Sequence, residues 1–389
     1  MTYVALGDIA FHKMGGTPST ADERYWEAGD LLWATPGDLG KGQVLKIYDT
    51  ARKITASGLA ARNAALFPAG TVLLSTTATI GNIGLATCPI YCNQQITAIV
   101  PHEGMLPEYL AYCLLRSKDD LMRLGGTSTA THINQKNLAT LKIPVLPLPE
   151  QRHIVDLLSR AEGIVRLRQE AEKKATELTP ALFLDMFGDP ATNPKGWPVR
   201  KVSDFVNRFE GGKNIQAGSE NGSPYRILKV SSTTSGIYRE SESKPSPDGY
   251  NPPNSHIVRV GDMLFSRANT EELVGATAIV EKTDGKTLLP DKLWRFVWAE
   301  PIAPAYMHAL FQSRWVRREL GKLSSGTSAS MRNISQRKLF DLRLPIAPYE
   351  RQQAFADQAA SVGSILSQQS AALASANAAF DALLALAFR

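Results

Sequence analysis

The sequence predicts an α+β protein in which two repeated mixed α/β domains are joined by two long helices, with a pseudo-twofold relation between the halves. The first observation is an internal repeat, in which GGTSTATHINQKNLATLKIPVLPLPEQ at 125–151 returns as SGTSASMRNISQRKLFDLRLPIAPYER at 325–351. The second is that a stretch of helical periodicity follows each copy. The repeat unit is about half of the chain, far longer than the period of a solenoid.

The repeat runs through most of each half, with offsets that drift between matched segments. Gly126, Thr127 and Ser128 recur as Gly326, Thr327 and Ser328, and Glu150 recurs as Glu350. Further upstream we match Gly15 and Gly16 with Gly211 and Gly212, Ser75 with Ser266, and Gly84 with Gly275. The drift indicates insertions and deletions in loops, where a change of length costs little free energy.

Each half begins with short β-like runs that are broken by turn residues. The clearest runs are Thr71–Leu74, Ile96–Val100, Ile257–Val260 and Leu293–Val297. A helix with proline in its first turn is predicted next in each half, over 107–117 and over 304–320. We therefore place the first mixed domain at 1–149 and the second at 199–349.

Helical periodicity then takes over in both halves, at 150–187 and at 350–389, with 188–198 as the linker after the first helix. Apolar and small residues recur at alternating steps of three and four, which is the spacing of helices that pack side by side. Arg168 and Gln369 place one polar residue near the middle of each stripe. We predict that the two helices form an antiparallel coiled coil that also serves partner binding. The residues predicted for it are Ile154, Leu157, Ile164, Leu178, Leu182, Phe355, Val362, Leu366, Leu373 and Phe380.

Charge is distributed unevenly along the chain, whose formal net charge is +6. Residues 195–349 hold 23 Lys and Arg against 15 Asp and Glu, whereas residues 1–149 hold 12 against 11 and both helical stretches are slightly acidic. This pattern indicates a polyanion partner for the globular parts and a protein partner for the helices. Three cysteines suit a reducing cytoplasm, and no apolar run approaches the roughly 20 residues of a membrane span, so we expect no membrane partner.

Motifs for catalysis are incomplete. Asn251–Asn254 (NPPN) lacks the aromatic residue of the amino-methyltransferase loop, and Gly285–Thr287 lacks the first glycine of a phosphate loop. Cys88 and Cys92 have no second pair of ligands, and the six histidines are scattered. We therefore expect no catalytic residue, no metal site and no cofactor on this chain.

Polar side chains instead cluster on loops at matched positions of the two halves. The shared Gly-Thr-Ser segments offer backbone N–H groups and hydroxyls that suit phosphates, while Asn, Gln, Arg and Lys side chains suit base edges. The phosphate candidates are Gly126, Thr127, Ser128, Gly326, Thr327, Ser328 and Arg332. The base-contact candidates are Ser75, Thr76, Thr77, Asn82, Asn93, Gln94, Gln95, Arg267, Asn269, Lys292 and Arg295. The first set matches between halves and the second differs, which predicts two modules that read two different half-sites.

These segments together resemble the specificity subunit of a type I restriction–modification enzyme. The resemblance rests on GGTPSTADERYWEAGDLLWATPGDL at 15–39, GDMLFSRANTEELVGA at 261–276, both GTS segments and the two following helices, so it covers nearly the whole chain. It implies two target recognition domains on double-stranded DNA and a helical pair that docks two methylation subunits. It also implies restriction or translocase subunits that join the assembly, and S-adenosylmethionine, ATP and Mg bound by those partners. The second half lacks the GTPS opening of the first, which fits a different half-site.

The resemblance implies a bipartite, asymmetric site with an unread gap. If the helices set that gap, one added helical turn of about 5.4 Å lengthens it by one to two base pairs of about 3.4 Å each. Two alternatives remain open from the sequence: a self-sufficient DNA methyltransferase or nuclease, and a scaffold that binds DNA without sequence preference.

Overall fold

The structure, a computed structural model, describes residues 2–62, 65–126, 132–220, 222–328 and 331–389. Its contacts divide the chain into two compact units. Unit 1 comprises Met1–Glu170 with Ala371–Arg389, and unit 2 comprises Ala171–Ser370. Each unit therefore contains one copy of the repeat together with a segment of each long helix.

Unit 1 is built on a five-stranded sheet with helices packed beside it. Its elements are β1 (Thr2–Ala5), α1 (Leu6–Ile9), β2 (Ala10–Met14), β3 (Leu31–Ala34), β4 (Val44–Ile47), β5 (Lys53–Ile54), α2 (Ala56–Arg62), β6 (Val72–Ser75), β7 (Ile83–Ala86), β8 (Tyr91–Cys92), β9 (Ile96–Pro101), α3 (Pro107–Arg116), α4 (Lys118–Leu124), α5 (Gln135–Ala139), β10 (Lys142–Val145) and the start of α6 (Leu148–Phe187). The main sheet has the strand order β2-β9-β6-β7-β4, and smaller sheets pair β1 with β10 and β3 with β5 and β8.

Unit 2 repeats this plan around a four-stranded sheet. Its elements are β11 (Val199–Lys201), β12 (Val206–Gly211), β13 (Arg226–Leu228), β14 (Ser243–Pro245), β15 (Met263–Ser266), β16 (Ala268–Asn269), β17 (Thr277–Ile279), β18 (Thr287–Leu288), β19 (Leu293–Trp298), α7 (Pro304–Gln312), α8 (Arg314–Leu323), β20 (Ser325–Ser328), β21 (Met331–Asn333), α9 (Gln336–Phe340), β22 (Arg343–Pro345) and the start of α10 (Tyr349–Ala387). The main sheet has the order β12-β19-β15-β17, and β11 pairs with β22 as β1 does with β10. The expected α+β repeat is thus confirmed.

Two local expectations were wrong. Ile257–Val260 is not a strand, because only Ile257 forms a bridge, with Leu288, after a single turn of 3-10 helix. The single helix expected over 304–320 is two helices, because Ser313 takes an extended conformation between them and its side chain accepts a hydrogen bond from the Val316 N–H. A serine that caps a new helix competes with continuation of the old one.

The long helices pair within each unit. In unit 1, Leu158 and Val165 of α6 share a core with Phe380 and Leu384 from the end of α10. In unit 2, Phe183 near the end of α6 packs edge-on against Phe355 at the start of α10, with ring centroids 5.7 Å apart. The start of one helix meets the end of the other in each case, which makes the pair antiparallel.

The buried face of α6 agrees with the predicted stripe at Ile154 and Leu182 but not at every predicted position. Leu157 and Ile164 are 41% and 55% exposed, whereas their neighbours Leu158 and Val165 are buried. Leu178 is 44% exposed and lies at the edge of the seam, where it lines a cavity with Val362 of α10. Ile154 and Leu182 are half-buried. On α10 the predicted residues do face inward, with Phe355 and Phe380 buried and Val362, Leu366 and Leu373 half-buried. Both neighbouring stripes of α6 are apolar, and hydrophobic periodicity alone does not decide between them.

A glutamine fastens the start of each long helix to its unit. Gln151 Oε1 accepts from the Leu106 N–H at 2.9 Å, and its Nε2 donates to Leu146 O at 2.7 Å. Gln352 makes the same contacts with the Ala303 N–H and Ala347 O. The structural repeat therefore matches Gln151 with Gln352, not Glu150 with Glu350.

Helix α10 departs from the expectation that no segment could span a membrane. An 18-residue window of it has mean hydropathy 1.4, enough to span by length and composition alone. The value comes from many alanines. The largest apolar side chains at its two ends, Phe355 and Phe380, are buried in the cores of their units. Only 11% of that window is buried, so α10 is not a mostly buried core helix.

Candidate nucleic-acid interface

A corner at the end of strand β6 organises the candidate loops of unit 1. The Thr76 N–H donates to Gln95 O at 2.9 Å, and Thr76 O accepts from the Ile133 N–H at 2.9 Å. Thr77 then forms a bridge with His132. Three loops, distant in sequence, therefore meet at one place.

The same corner recurs at the end of β15 in unit 2. The Arg267 N–H donates to Lys292 O at 3.1 Å, and Arg267 O accepts from the Ile334 N–H at 2.9 Å. Ala268 pairs with Asn333 as Thr77 does with His132. The backbone hydrogen bonds are the same in both units, while the residues differ: Arg267 occupies the position of Thr76, and Lys292 occupies the position of Gln95.

The two units also share a tight turn next to this corner. It shows that Gly84 and Gly275, which were matched from the sequence, are not structurally equivalent. The N–H of Gly81 donates to Ser75 O, and that of Gly275 to Ser266 O. Both glycines have φ values, +88° and +80°, that side-chain-bearing residues rarely adopt. Gly275 is therefore equivalent to Gly81, whereas Gly84 lies within strand β7. The intervening loop is three residues longer in unit 2, which explains the misalignment.

The predicted base-contact residues of unit 1 fall into two groups. Ser75 and Thr76 have no exposed surface, and Asn82 and Asn93 are also buried. They build the corner; for example, Asn93 Oδ1 accepts from the Gln95 N–H at 3.0 Å. The residues that reach the surface are Thr77, Gln94 and Gln95.

Two residues that the sequence did not single out contact these surface side chains. Thr17 Oγ1 donates to Gln94 Oε1, so the amide nitrogen of Gln94 points away from that contact. Thr77 Oγ1 is 2.8 Å from His132 Nδ1. Two features of the sequence could have pointed to these residues. A glycine pair precedes Thr17, and the structure requires glycine there because a Cβ at Gly15 would lie 2.1 Å from Cys92 O. His132 lies inside the repeat.

In unit 2 the structure brings Arg267, Asn269, Lys292 and Arg332 to one surface. Asn269 pairs with Arg332 across β16 and β21. Arg332 is partly engaged in its own hairpin, since its Nε donates to Ser324 Oγ at 3.1 Å and its Nη1 to Gly326 O at 3.2 Å. Lys292 is half-buried. Cationic and amide donors therefore share this surface, as base-edge and phosphate contacts require.

Arg295, by contrast, lies inside unit 2 and is only 6% exposed. Its Nη1 donates to Asp262 Oδ2 at 2.9 Å and to Ile257 O, and its Nη2 donates to Glu210 Oε2 and to Ser255 O. The guanidinium holds the pKa of Glu210 below its ordinary value. Four of its five N–H donors are thus engaged, and we assign Arg295 to the core and not to base contact.

The phosphate candidates are only partly described. Thr127 and Ser128 lie outside the described residues, and for Thr327 and Ser328 only the backbone, within β20, is described. Gly126 has φ +78°. A Cβ at Gly326 would lie 2.4 Å from Met331 O, so the hairpin of β20 and β21 requires glycine there.

Comparison with known proteins identifies relatives of this architecture. Residues 1–177 match the family model of the type I restriction modification DNA specificity domain. The type I restriction enzyme MjaIX specificity subunit of Methanocaldococcus jannaschii is 32% identical over 229 residues, which cover 54% of this chain and 52% of that protein. The chain spans about half the length, or less, of the first curated relatives that it matches.

Two solved structures share the fold over the full chain. The S subunit of a type I restriction–modification system from M. genitalium aligns with TM-score 0.57 at 11% identity, covering 100% of this chain and 96% of that one. A chain from a structural study of complex assembly and conformational transition of the type I R-M system aligns with TM-score 0.60 at 18% identity, covering 100% and 97%. At these identities the likeness establishes the fold.

Proposed function

We propose that the whole chain is the DNA-reading subunit of a type I restriction–modification enzyme, a proposal supported by the match of residues 1–177 to the family model of the type I restriction modification DNA specificity domain. It binds a bipartite, asymmetric site in double-stranded DNA and directs adenine methylation and restriction that partner subunits carry out. It performs no catalysis itself. It acts in the cytoplasm.

The proposal rests on one observation: the backbone of the corner is the same in both units, while the side chains on it differ. Thr76 and Gln95 in unit 1 occupy the backbone positions that Arg267 and Lys292 occupy in unit 2. Arg and Lys donate to the acceptors of guanine, and Gln pairs with adenine. Thr76 is buried, so at its position unit 1 presents no side chain to DNA where unit 2 presents Arg267. Two copies of one corner with different side chains suit a site whose two halves differ.

The partners follow from the same proposal. Two methylation subunits dock on the helical pair, and restriction or translocase subunits join them. S-adenosylmethionine, ATP and Mg serve those subunits. The exposed apolar residues of α6, among them Ile164 and Leu167 in unit 1 and Leu178 in unit 2, supply surface of the kind that protein interfaces use.

The test is to sequence modified bases in DNA from cells that express this chain together with its methylation subunit. We expect methylated adenines in a split sequence with a constant gap. Replacing residues 1–149 by the equivalent domain of a relative should change one half-site and leave the other intact. Methylated adenines in one uninterrupted word, or methylation by this chain alone, would contradict the proposal. Binding without a protected bipartite site would indicate a scaffold.

A further inference from the structure

Helices α4 and α8 are equivalent, and their ion pairs fix the alignment between them. Asp120 pairs with Arg123 at 2.8 Å in α4, and Glu319 pairs with Lys322 at 2.7 Å in α8, each with a spacing of three residues. This alignment places Arg318 where α4 has Asp119. Helix α8 has ten residues and α4 has seven, so the extra residues lie at the start of α8, where Arg314 stands.

The two helices differ strongly in charge. Helix α8 holds four Arg and Lys against one Glu, whereas α4 holds two basic residues against two Asp. Arg314 and Arg318 are both exposed and stand four residues apart, which puts them on one face of the helix. Within the described parts of the chain neither forms an ion pair, so both charges are available to a ligand.

Helix α8 also lies against the loop that follows the candidate base-contact surface. That loop runs from Asn269 to Gly275, and a Cβ at Gly275 would lie 2.8 Å from Leu320 Cδ1. Arg317 Nη2 donates to Glu272 O at 2.6 Å, which fastens the helix to the loop. On the other side, Lys338 Nζ of α9 donates to Leu323 O at 3.0 Å and brings a further cation to the end of α8.

We propose that Arg314 and Arg318 form a phosphate-binding site for the backbone of duplex DNA, next to the bases that unit 2 reads. This inference rests on the proposed function of the chain. Guanidinium groups bind phosphate oxygens well, and such contacts position a protein on DNA without reading sequence. Unit 1 lacks this site because Asp119 repels phosphate at the equivalent position. Unit 2 therefore supplies the larger share of sequence-independent affinity.

The test compares the full-length chain with its double variant Arg314→Gln, Arg318→Gln. Affinity is measured between about 50 and about 200 mM salt, on a duplex that carries both half-sites and on one that carries neither. The slope of log affinity against log salt is negative, and each lost phosphate contact reduces its magnitude by about 0.9, so loss of the pair reduces it by about 1.8. Both duplexes lose affinity equally, and the ratio between them stays unchanged.

Two further variants serve as a matched control and as a reciprocal test. The matched control Arg239→Gln, Lys282→Gln removes two exposed charges elsewhere in unit 2 and should leave the slope close to that of the wild type. The reciprocal variant Asp119→Arg in unit 1 should increase the magnitude of the slope by about 0.9. Thermal unfolding of each variant verifies that folding is retained.

The outcomes separate this inference from the proposed function. If the wild type selects a bipartite site but the α8 variant keeps its salt slope, the phosphate site is refuted. The same holds if the control reduces the magnitude of the slope as much, or if the α8 variant loses only its assembly with the methylation subunit. If the wild type prefers no bipartite site at all, the proposed function itself fails.

Discussion

Arg267 Nε donates to Asp291 O at 2.8 Å, and this bond fixes the guanidinium at the edge of the unit 2 corner. The guanidinium carbon lies 5.6 Å from the centroid of the Trp294 ring, and the side chain remains 30% exposed. The Asp291 carboxylate stands 3.8 Å from Nη2, too long for a hydrogen bond. The terminal nitrogens are therefore held in place and can still donate to a ligand, as a bidentate contact with guanine requires.

We predict that Arg267→Ala weakens binding of the recognised duplex by about 1–3 kcal/mol and relaxes specificity in the second half-site only. Binding competition with duplexes altered at single positions measures this. Arg239→Ala, an exposed arginine of the same unit, is the control and should change neither half-site. An equal loss on every duplex would make Arg267 a phosphate contact instead.

Arg295 should behave differently, although sequence reasoning grouped it with Arg267. Removing it takes the buried cation away from the carboxylates of Glu210 and Asp262, which are only 18% and 13% exposed. Glu210 then keeps only the exposed Arg208, and Asp262 keeps no ion pair among the described residues. We predict that Arg295→Ala destabilises unit 2 by about 3–5 kcal/mol, the usual cost of breaking a buried ion pair. Thermal unfolding of the full chain measures the effect.

The chain offers a matched control for this prediction. Arg208 pairs with the same Glu210 but is 58% exposed. Arg208→Ala should therefore cost less than about 1 kcal/mol, as exposed ion pairs do. If Arg295→Ala instead left the unfolding temperature intact and changed only DNA specificity, the assignment to the core would be wrong.

The contrast between these two arginines shows how far the sequence could predict the site. The repeat placed both near the same loops, because residues that follow matched strands share a backbone framework. Burial depends on partners distant in sequence, and Arg295 meets Glu210 and Asp262, which are 85 and 33 residues away. No local pattern encodes that meeting, so the framework was predictable and the role of each side chain was not.

The long helices α6 and α10 also show what the sequence could and could not predict. Their existence and approximate bounds were predictable, since a period of three and four residues sustained over tens of residues is typical of long helices that pack together. The buried face of α6 was not, because both Leu157 and its neighbour Leu158 fit an apolar stripe. Packing against Phe380 and Leu384 decides in favour of Leu158.

That distinction yields a prediction with two separate readouts. Phe380 is buried in the core of unit 1, so Phe380→Ala should destabilise that unit by about 3–5 kcal/mol. Leu178 is 44% exposed, so Leu178→Glu should leave thermal unfolding nearly unchanged. The proposed function adds that Leu178→Glu weakens assembly with the methylation subunit, measured by size-exclusion chromatography of the mixture. A large loss of stability in Leu178→Glu would place this residue in the seam after all.

Glu162 on α6 gives unit 1 a dependence on pH. Its Oε1 accepts from the Val44 N–H at 2.6 Å and its Oε2 accepts from the Tyr112 hydroxyl at 2.9 Å. Burial raises the pKa of this carboxyl above its ordinary value, because desolvation penalises the charged form. The folded unit therefore binds a proton more readily than the unfolded chain. The stability that this proton contributes is present below the ordinary carboxyl pKa and is lost as pH rises through the raised one.

We predict that Glu162→Gln removes this loss. The amide oxygen can still accept from the Val44 N–H, and the amide nitrogen can donate to the Tyr112 hydroxyl oxygen, while no charge has to be buried at neutral pH. The difference in unfolding temperature, variant minus wild type, should grow as pH rises from acid to neutral in a calorimetric series. Glu170→Gln, exposed on the same helix, should follow the wild type at every pH. A constant difference between Glu162→Gln and the wild type across the series would show that folding does not raise the pKa of Glu162.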